Sequence, residues 1–224
     1  NWSRLNSTQN LLHDTNYRHY SITFVENHDT EYRGANNSQD PIRSDTLAAN
    51  AYMLAMPGTP CVFFKHWQTY KQDIKSMIDV RKAAGITNTS DYVFLVGNQT
   101  SHAVIRSTGH KKLIAVVGST KEYTPDATQF TKVLQGYRYA YYLSNDAETA
   151  FIDRSSGNYQ NKVEVLLSAV SAQSDAKLVY TTDGSTPTTT HGTQVASGTK
   201  LTLTDDCTLT VGLLTGGVVK GLCK

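Results

Sequence analysis

The residues best suited to chemistry are Asn27, His28 and Asp29, which follow the apolar run Ser21-Ile22-Thr23-Phe24-Val25 and then Glu26. An imidazole and a carboxylate side by side are groups that move protons or stabilise developing charge. Their placement at the carboxyl end of a buried strand matters, because in parallel β/α folds the loops that carry catalytic groups open there. The plainer alternative is that Asn27 and Asp29 start a turn and His28 is a satisfied loop histidine. No Cys-x-x-Cys or His-rich spacing follows, so no metal-ligating set is expected in this chain.

The elements that would position this trio come next. Ser21–Val25 reads as a buried strand, β-branched and aromatic. The stretch 40–45 reads as a helix entry with Ser44 or Asp45 as N-cap, and the helix that follows places Leu47, Ala51, Leu54 and Ala55 on one face before Pro57-Gly58 stops it. Cys61–Phe64 reads as a second buried strand, with Cys61 a buried thiol. Gln68–Ala84 reads as a second helix, with Ile74, Ile78 and Arg81 at helical spacing and Gly85 as its stop. Strand, helix, strand, helix marks parallel β/α units, and two such units leave open strand edges.

From about Ile86 the period changes to two. Short strands are expected at 91–96, 103–106, 113–117 and 137–142, separated by Gly, Asn and Ser turns, as in an antiparallel sandwich. Tyr137, Tyr139 and Tyr141 alternate and would share one face, either as core or as a platform for a sugar ring. Ser155-Ser156-Gly157-Asn158 reads as a linker to a last β-rich segment containing the turn-rich stretch Tyr180–Thr188. The expected organisation is therefore 1–85, 86–154 and 158–224.

Composition narrows the function classes. Lys and Arg total 21 against 19 Asp and Glu, a formal charge of +2. Without a basic face, nucleic acid is not an expected partner. No apolar run approaches the roughly 20 residues of a membrane helix, so no membrane span is expected. Cys61, Cys207 and Cys223 are an odd set, in which the last two flank a hairpin and could be bridged in an oxidising compartment.

Phe24–Asp29 followed by Thr30 resembles the fourth conserved region of the α-amylase family, glycoside hydrolase family 13. Downstream, Ala51–Phe64 and Lys65-His66-Trp67 are similar to the helix and eighth strand of those barrels, most of all in plant-type amylases. The likeness runs from about Tyr20 to Asn145. It implies the last βα units of a (β/α)8 barrel followed by an antiparallel β-sandwich, an α/β plus all-β chain. The last segment, with Tyr180–Pro187, resembles the small immunoglobulin-like domain at the C-terminus of chitobiases and hexosaminidases.

By the same resemblance, Asp29 is the carboxylate that stabilises the transition state and His28 hydrogen-bonds the sugar. The substrate is an α-1,4-glucan or oligosaccharide, and hydrolysis proceeds with retention of configuration. That chemistry needs a nucleophile and an acid roughly 5–5.5 Å apart. Both lie on earlier strands in this family, so the chain alone is expected to be inactive. Arg43-Ser44-Asp45 superficially copies the Arg-x-Asp of the nucleophile strand, but it falls where a helix cap is expected. Glu26 departs from the Asp usual at that position of the motif.

The family resemblance implies a secreted, extracellular or periplasmic protein. It implies no cofactor in this chain, although calcium belongs to the parent enzymes. Oligomeric state is not legible. The rival reading is a non-catalytic glucan-binding or attachment module with a residual barrel segment.

Overall fold

A computed structural model describes residues 1–6, 11–34 and 41–224. Strands dominate over helices, and the chain divides into two compact units: Asn1–Thr124 with Gln135–Tyr141, and Pro125–Leu134 with Tyr142–Lys224.

In the first unit, β1 (Ile22–Thr23) and β2 (Thr59–Pro60) pair in parallel, and α1 (Thr46–Ala55) lies between them in the chain. A helical crossover is what a parallel pair requires. Asp45 is the N-cap residue by position, but its side chain makes no cap bond and instead pairs with Arg138 at 3.1 Å. Ala51, Leu54 and Ala55 are buried as expected, whereas Leu47 is half-buried. α2 (Phe64–Ala84) contains one non-helical residue, Tyr70, and ends at Gly85, which sits in the left-handed region at φ 64°. There its amide reaches back to the helix carbonyls, a role glycine takes without the Cβ penalty.

Two strand expectations need correction. The run Ser21–Val25 is paired only over Ile22–Thr23, and Ile22 and Phe24 are exposed rather than buried. Cys61–Phe64 is not a strand: pairing occurs at Thr59–Pro60, Phe64 opens α2, and Cys61 is exposed. Among the described residues each strand of this two-stranded sheet has one partner, which leaves its other edge unpaired there.

A five-stranded sheet follows, antiparallel over its first three strands. β3 (Asp91–Val96), β4 (His102–Thr108) and β5 (Lys112–Gly118) pair in sequence, with a register shift between Phe94 and Val96. With β6 (Phe130–Gly136) and β7 (Tyr139–Ser144) the sheet order is β3-β4-β5-β7-β6. Val104, Ile105 and the run Leu113–Val117 are buried. Tyr139 and Tyr141 are core residues, their rings edge to face at 6.0 Å, and the Tyr141 hydroxyl donates to the Ala51 carbonyl. Tyr137 is exposed in the preceding turn, so the three tyrosines form no common platform.

The second unit contains two antiparallel sheets. One has the order β12-β9-β8, from β8 (Thr149–Ile152), β9 (Val163–Val170) and β12 (Thr199–Leu203). The other joins β10 (Lys177–Thr181), β11 (Thr193–Val195), β13 (Thr210–Thr215) and β14 (Val218–Cys223) in the order β11-β10-β13-β14. Ala150, Ile152, Val165 and Leu167 of the first sheet share one core with Leu178, Val211 and Leu213 of the second. This is the packing of a β-sandwich. Residues 155–158, expected as a linker, lie between β8 and β9 inside this unit. Cys207 and Cys223 are not joined by a disulfide. Among the described residues no helix is long and apolar enough to cross a membrane.

Candidate functional site

The Asn27–Thr30 turn leaves the end of β1 and is built by one side chain. Asn27 Oδ1 accepts from the amides of Asp29 at 2.9 Å and Thr30 at 3.1 Å, and the Thr30 hydroxyl in turn accepts from the Asn27 amide at 3.1 Å. An Asn side chain closing a turn on amides two and three residues ahead mimics a backbone turn. The Asp29 carbonyl accepts from Arg33 Nη2 at 3.2 Å. The carboxylate of Asp29 takes no part in these bonds.

His28 and Asp29 project outward, with side chains 79% and 69% exposed and His28 Nε2 3.3 Å from Asp29 Oδ1. An imidazole and a carboxylate held together and open to solvent can hydrogen-bond several hydroxyls at once. The expected pair is therefore brought together, on a turn whose geometry does not consume either side chain. Asn27 does the structural work of the turn, which is the plainer sequence reading for that residue.

Beneath the turn lies a polar network that the sequence reading passed over. Glu26 is buried, its Oε1 accepting the Ile42 amide at 2.8 Å and its Oε2 lying 2.9 Å from His66 Nε2. His66 Nδ1 is 3.1 Å from Asn50 Nδ2, and that same amide nitrogen donates to the Thr46 carbonyl at 2.8 Å. A second tie joins Lys65 Nζ to Glu31 Oε2. The signal was present: an acid within an apolar run, an Asn on the buried face of α1, and a histidine at the start of α2. Arg43-Ser44-Asp45 stands at the entry to α1, where Arg43 lies over the Tyr32 ring at 5.4 Å.

Among the described residues no three His, Cys, Asp or Glu side chains gather as a metal site, and Asp29 has only His28 beside it. The residues present do not fit calcium, whose site takes six to eight oxygens.

An apolar cavity of about 510 Å³ opens beside β1, lined among others by Leu12, Ile22, Phe24, Ile42, Tyr52 and Met53. It carries none of the polar groups of the His28–Asp29 turn. In the second unit a cavity of about 360 Å³ is lined by Arg154, Lys162, Asp205, Asp206 and Lys224 with apolar Val165 and Leu203.

No family model matches the chain. It is 34% identical over 115 residues to a glucan 1,4-alpha-maltotetraohydrolase of Stutzerimonas stutzeri, covering 49% of this chain and 19% of that protein. It is 38% identical over 73 residues to the alpha-amylase type B isozyme of Hordeum vulgare, covering 31% of this chain and 46% of that protein. Against probable alpha-amylase 2 of Arabidopsis thaliana the identity is 29% over 125 residues, 54% of this chain and 29% of that protein. The chain thus spans less than half the length of these curated relatives. Over about half of its own length it is related in sequence to enzymes of the α-amylase family.

Proposed function

We propose that this chain forms one wall of the sugar site of an α-amylase-type glycoside hydrolase acting on α-1,4-glucans. Asp29 stabilises the positive charge of the oxocarbenium-like transition state, and His28 hydrogen-bonds the same sugar. The observation that carries this is the exposed His28–Asp29 pair on a turn closed by Asn27. The parallel β1–β2 pair with α1 between supports reading residues 1–85 as the last βα units of a (β/α)8 barrel. The five-stranded sheet β3–β7 supports reading the region after residue 85 as the β-rich domain that follows the barrel. The two sheets formed by β8–β14 support reading the last segment as a small immunoglobulin-like domain of the kind appended to carbohydrate enzymes. The parent protein is secreted.

Retaining hydrolysis also requires a nucleophile and a proton-donating acid, which this reading places on other strands of the parent protein. The chain by itself therefore releases no reducing sugar from soluble starch above background. Measurable turnover by the isolated chain would refute this assignment of roles. In the active parent enzyme, Asp29→Asn should lower kcat far more than it weakens substrate binding, because the interaction belongs to the transition state. An unchanged kcat would remove Asp29 from the chemistry.

A further inference from the structure

We propose that Glu26 and His66, assisted by Glu31 and Lys65, are positioning residues that hold the Asn27–Thr30 turn and so fix Asp29. This rests on the reading of Asp29 as the sugar-facing carboxylate. Two consecutive residues at the start of α2 grip the two acids on either side of the turn: His66 takes Glu26, and Lys65 takes Glu31. Both acids are largely buried, with side chains 8% and 14% exposed, whereas the carboxylate between them is 69% exposed. The three acids thus divide into two that are anchored and one that is presented.

The network sets the tautomer of His66. Asn50 Nδ2 has two hydrogens, one directed to the Thr46 carbonyl and one to His66 Nδ1. Nδ1 is then an acceptor, and the ring proton must sit on Nε2 and point at Glu26 Oε2. Turning the Asn50 amide over would set its oxygen against the Thr46 carbonyl and lose that bond. Glu26 must in consequence be an ionised acceptor at both oxygens, one for His66 and one for the Ile42 amide.

Length matters as well as charge. An Asp at this position would be one methylene shorter, drawing the carboxylate back by about 1.5 Å, too far to hold both donors. A Gln would fit the space but turn an N–H against the His66 N–H. The Glu that departs from the usual motif is thus matched to its partner.

The test uses the full chain, followed by NMR. The ring nitrogen shifts of His66 should show the neutral Nε2–H tautomer. Amide exchange at Asp29 and Thr30, the two donors to Asn27, should accelerate roughly tenfold or more in Glu26→Gln while amides in β4 and β5 stay within about twofold. His66→Gln keeps an N–H donor toward Glu26 and should retain most of the protection seen in the unsubstituted chain. An Nδ1–H tautomer, or unchanged exchange at Asp29 and Thr30 in Glu26→Gln, overturns the proposal. If Glu26→Gln loosens the β4–β5 amides too, Lys65→Met releases the more exposed half of the grip alone. It should still speed exchange at Thr30 and Glu31 by roughly threefold or more, and no change there is equally fatal.

Maltoheptaose supplies the separate arm. In the unsubstituted chain it should shift the signals of His28 and Asp29, and less so in Glu26→Gln. Absence of any shift in the unsubstituted chain would sink the glucan reading, while the grip stands or falls on tautomer and exchange.

Discussion

Replacing Arg81 by Met should unfold the first unit's support for the turn, and the structure sets the size of the effect. The Arg81 side chain is buried and caps the end of α1: Nη1 donates to the Leu54 carbonyl at 2.8 Å and to the Met56 carbonyl, and Nη2 donates to the Gly58 carbonyl at 3.0 Å. These carbonyls face inward at a helix end and have no following turn to supply amides. Burial lowers the guanidinium pKa, with the nearby Tyr141 acting in the other direction, yet Arg remains protonated. Met fills much of the same volume, so the change isolates the bonds from the packing.

Each charged hydrogen bond contributes about 1.5–3 kcal/mol, and relief of the buried cation's desolvation offsets part of the sum. The expected net loss is about 3–5 kcal/mol, below the sum of the three bonds because of that offset. Arg81→Lys, with a point charge in place of a planar fork, should lose about half as much. The assay is urea unfolding followed by tryptophan fluorescence, because Trp2 and Trp67 are the chain's two tryptophans and both lie in the first unit. With a slope of about 2 kcal/mol per molar, the midpoint should fall by roughly 2 M in Arg81→Met. A fall of less than about 0.5 M would show that the carbonyls find other donors, and would refute the account of Arg81 as their cap.

The remaining predictions are shorter. Asp29→Asn should leave the unfolding free energy of the first unit within about 0.5 kcal/mol of the parent, since the carboxylate serves no bond of the turn. A larger loss would mean the carboxylate belongs to the fold. Gly85→Ala should cost about 2 kcal/mol by the same assay, because φ is 64° there and an added Cβ would lie 2.4 Å from His110 Cδ2. In the second unit, the bond from the Gly216 amide, and with it that from the Thr215 hydroxyl, holds the Asp175 carboxyl below its usual range. A depressed carboxylate contributes stability above its unfolded pKa and loses it as pH falls through the folded value. Circular dichroism of urea unfolding from pH 6 down to pH 2 should therefore show the second unit weakening through the acid range, less steeply in Asp175→Asn. Identical slopes would exclude that role.

How much of this was legible in the sequence depended on which residues supplied the signal. The period-two runs at 91–96 and 113–117 and the Gly85 stop are local signals, written by alternation and by backbone permissiveness, and the elements form there. Ser21–Val25 and Cys61–Phe64 looked like buried strands because their side chains are apolar, but strand formation needs a partner along the edge, and pairing covers only Ile22–Thr23 of the first and no residue of the second. Phe64 instead opens α2, with its ring exposed. Strands β6 and β8, with mixed polarity, gave no clean period to read. At the site, Asn27, His28 and Asp29 were found because they are contiguous. Glu26, Asn50 and His66 are scattered over 41 positions and become neighbours only when α1 and α2 pack. No spacing rule links them, since their distance in sequence is set by helix and loop lengths.

The Asn27–Thr30 turn has a consequence for how such a surface can change over generations. Shape here is delegated to residues 26 and 27, through the buried carboxylate of Glu26 and the amide of Asn27, while residues 28 and 29 carry no share of the fold. Variation at 28 and 29 is then filtered by ligand, and variation at 26 and 27 first by the shape of the turn. A lineage could rewrite which hydroxyls the turn greets, or silence it, without risking the scaffold. Adjacent positions in one short loop thus answer to different selective pressures.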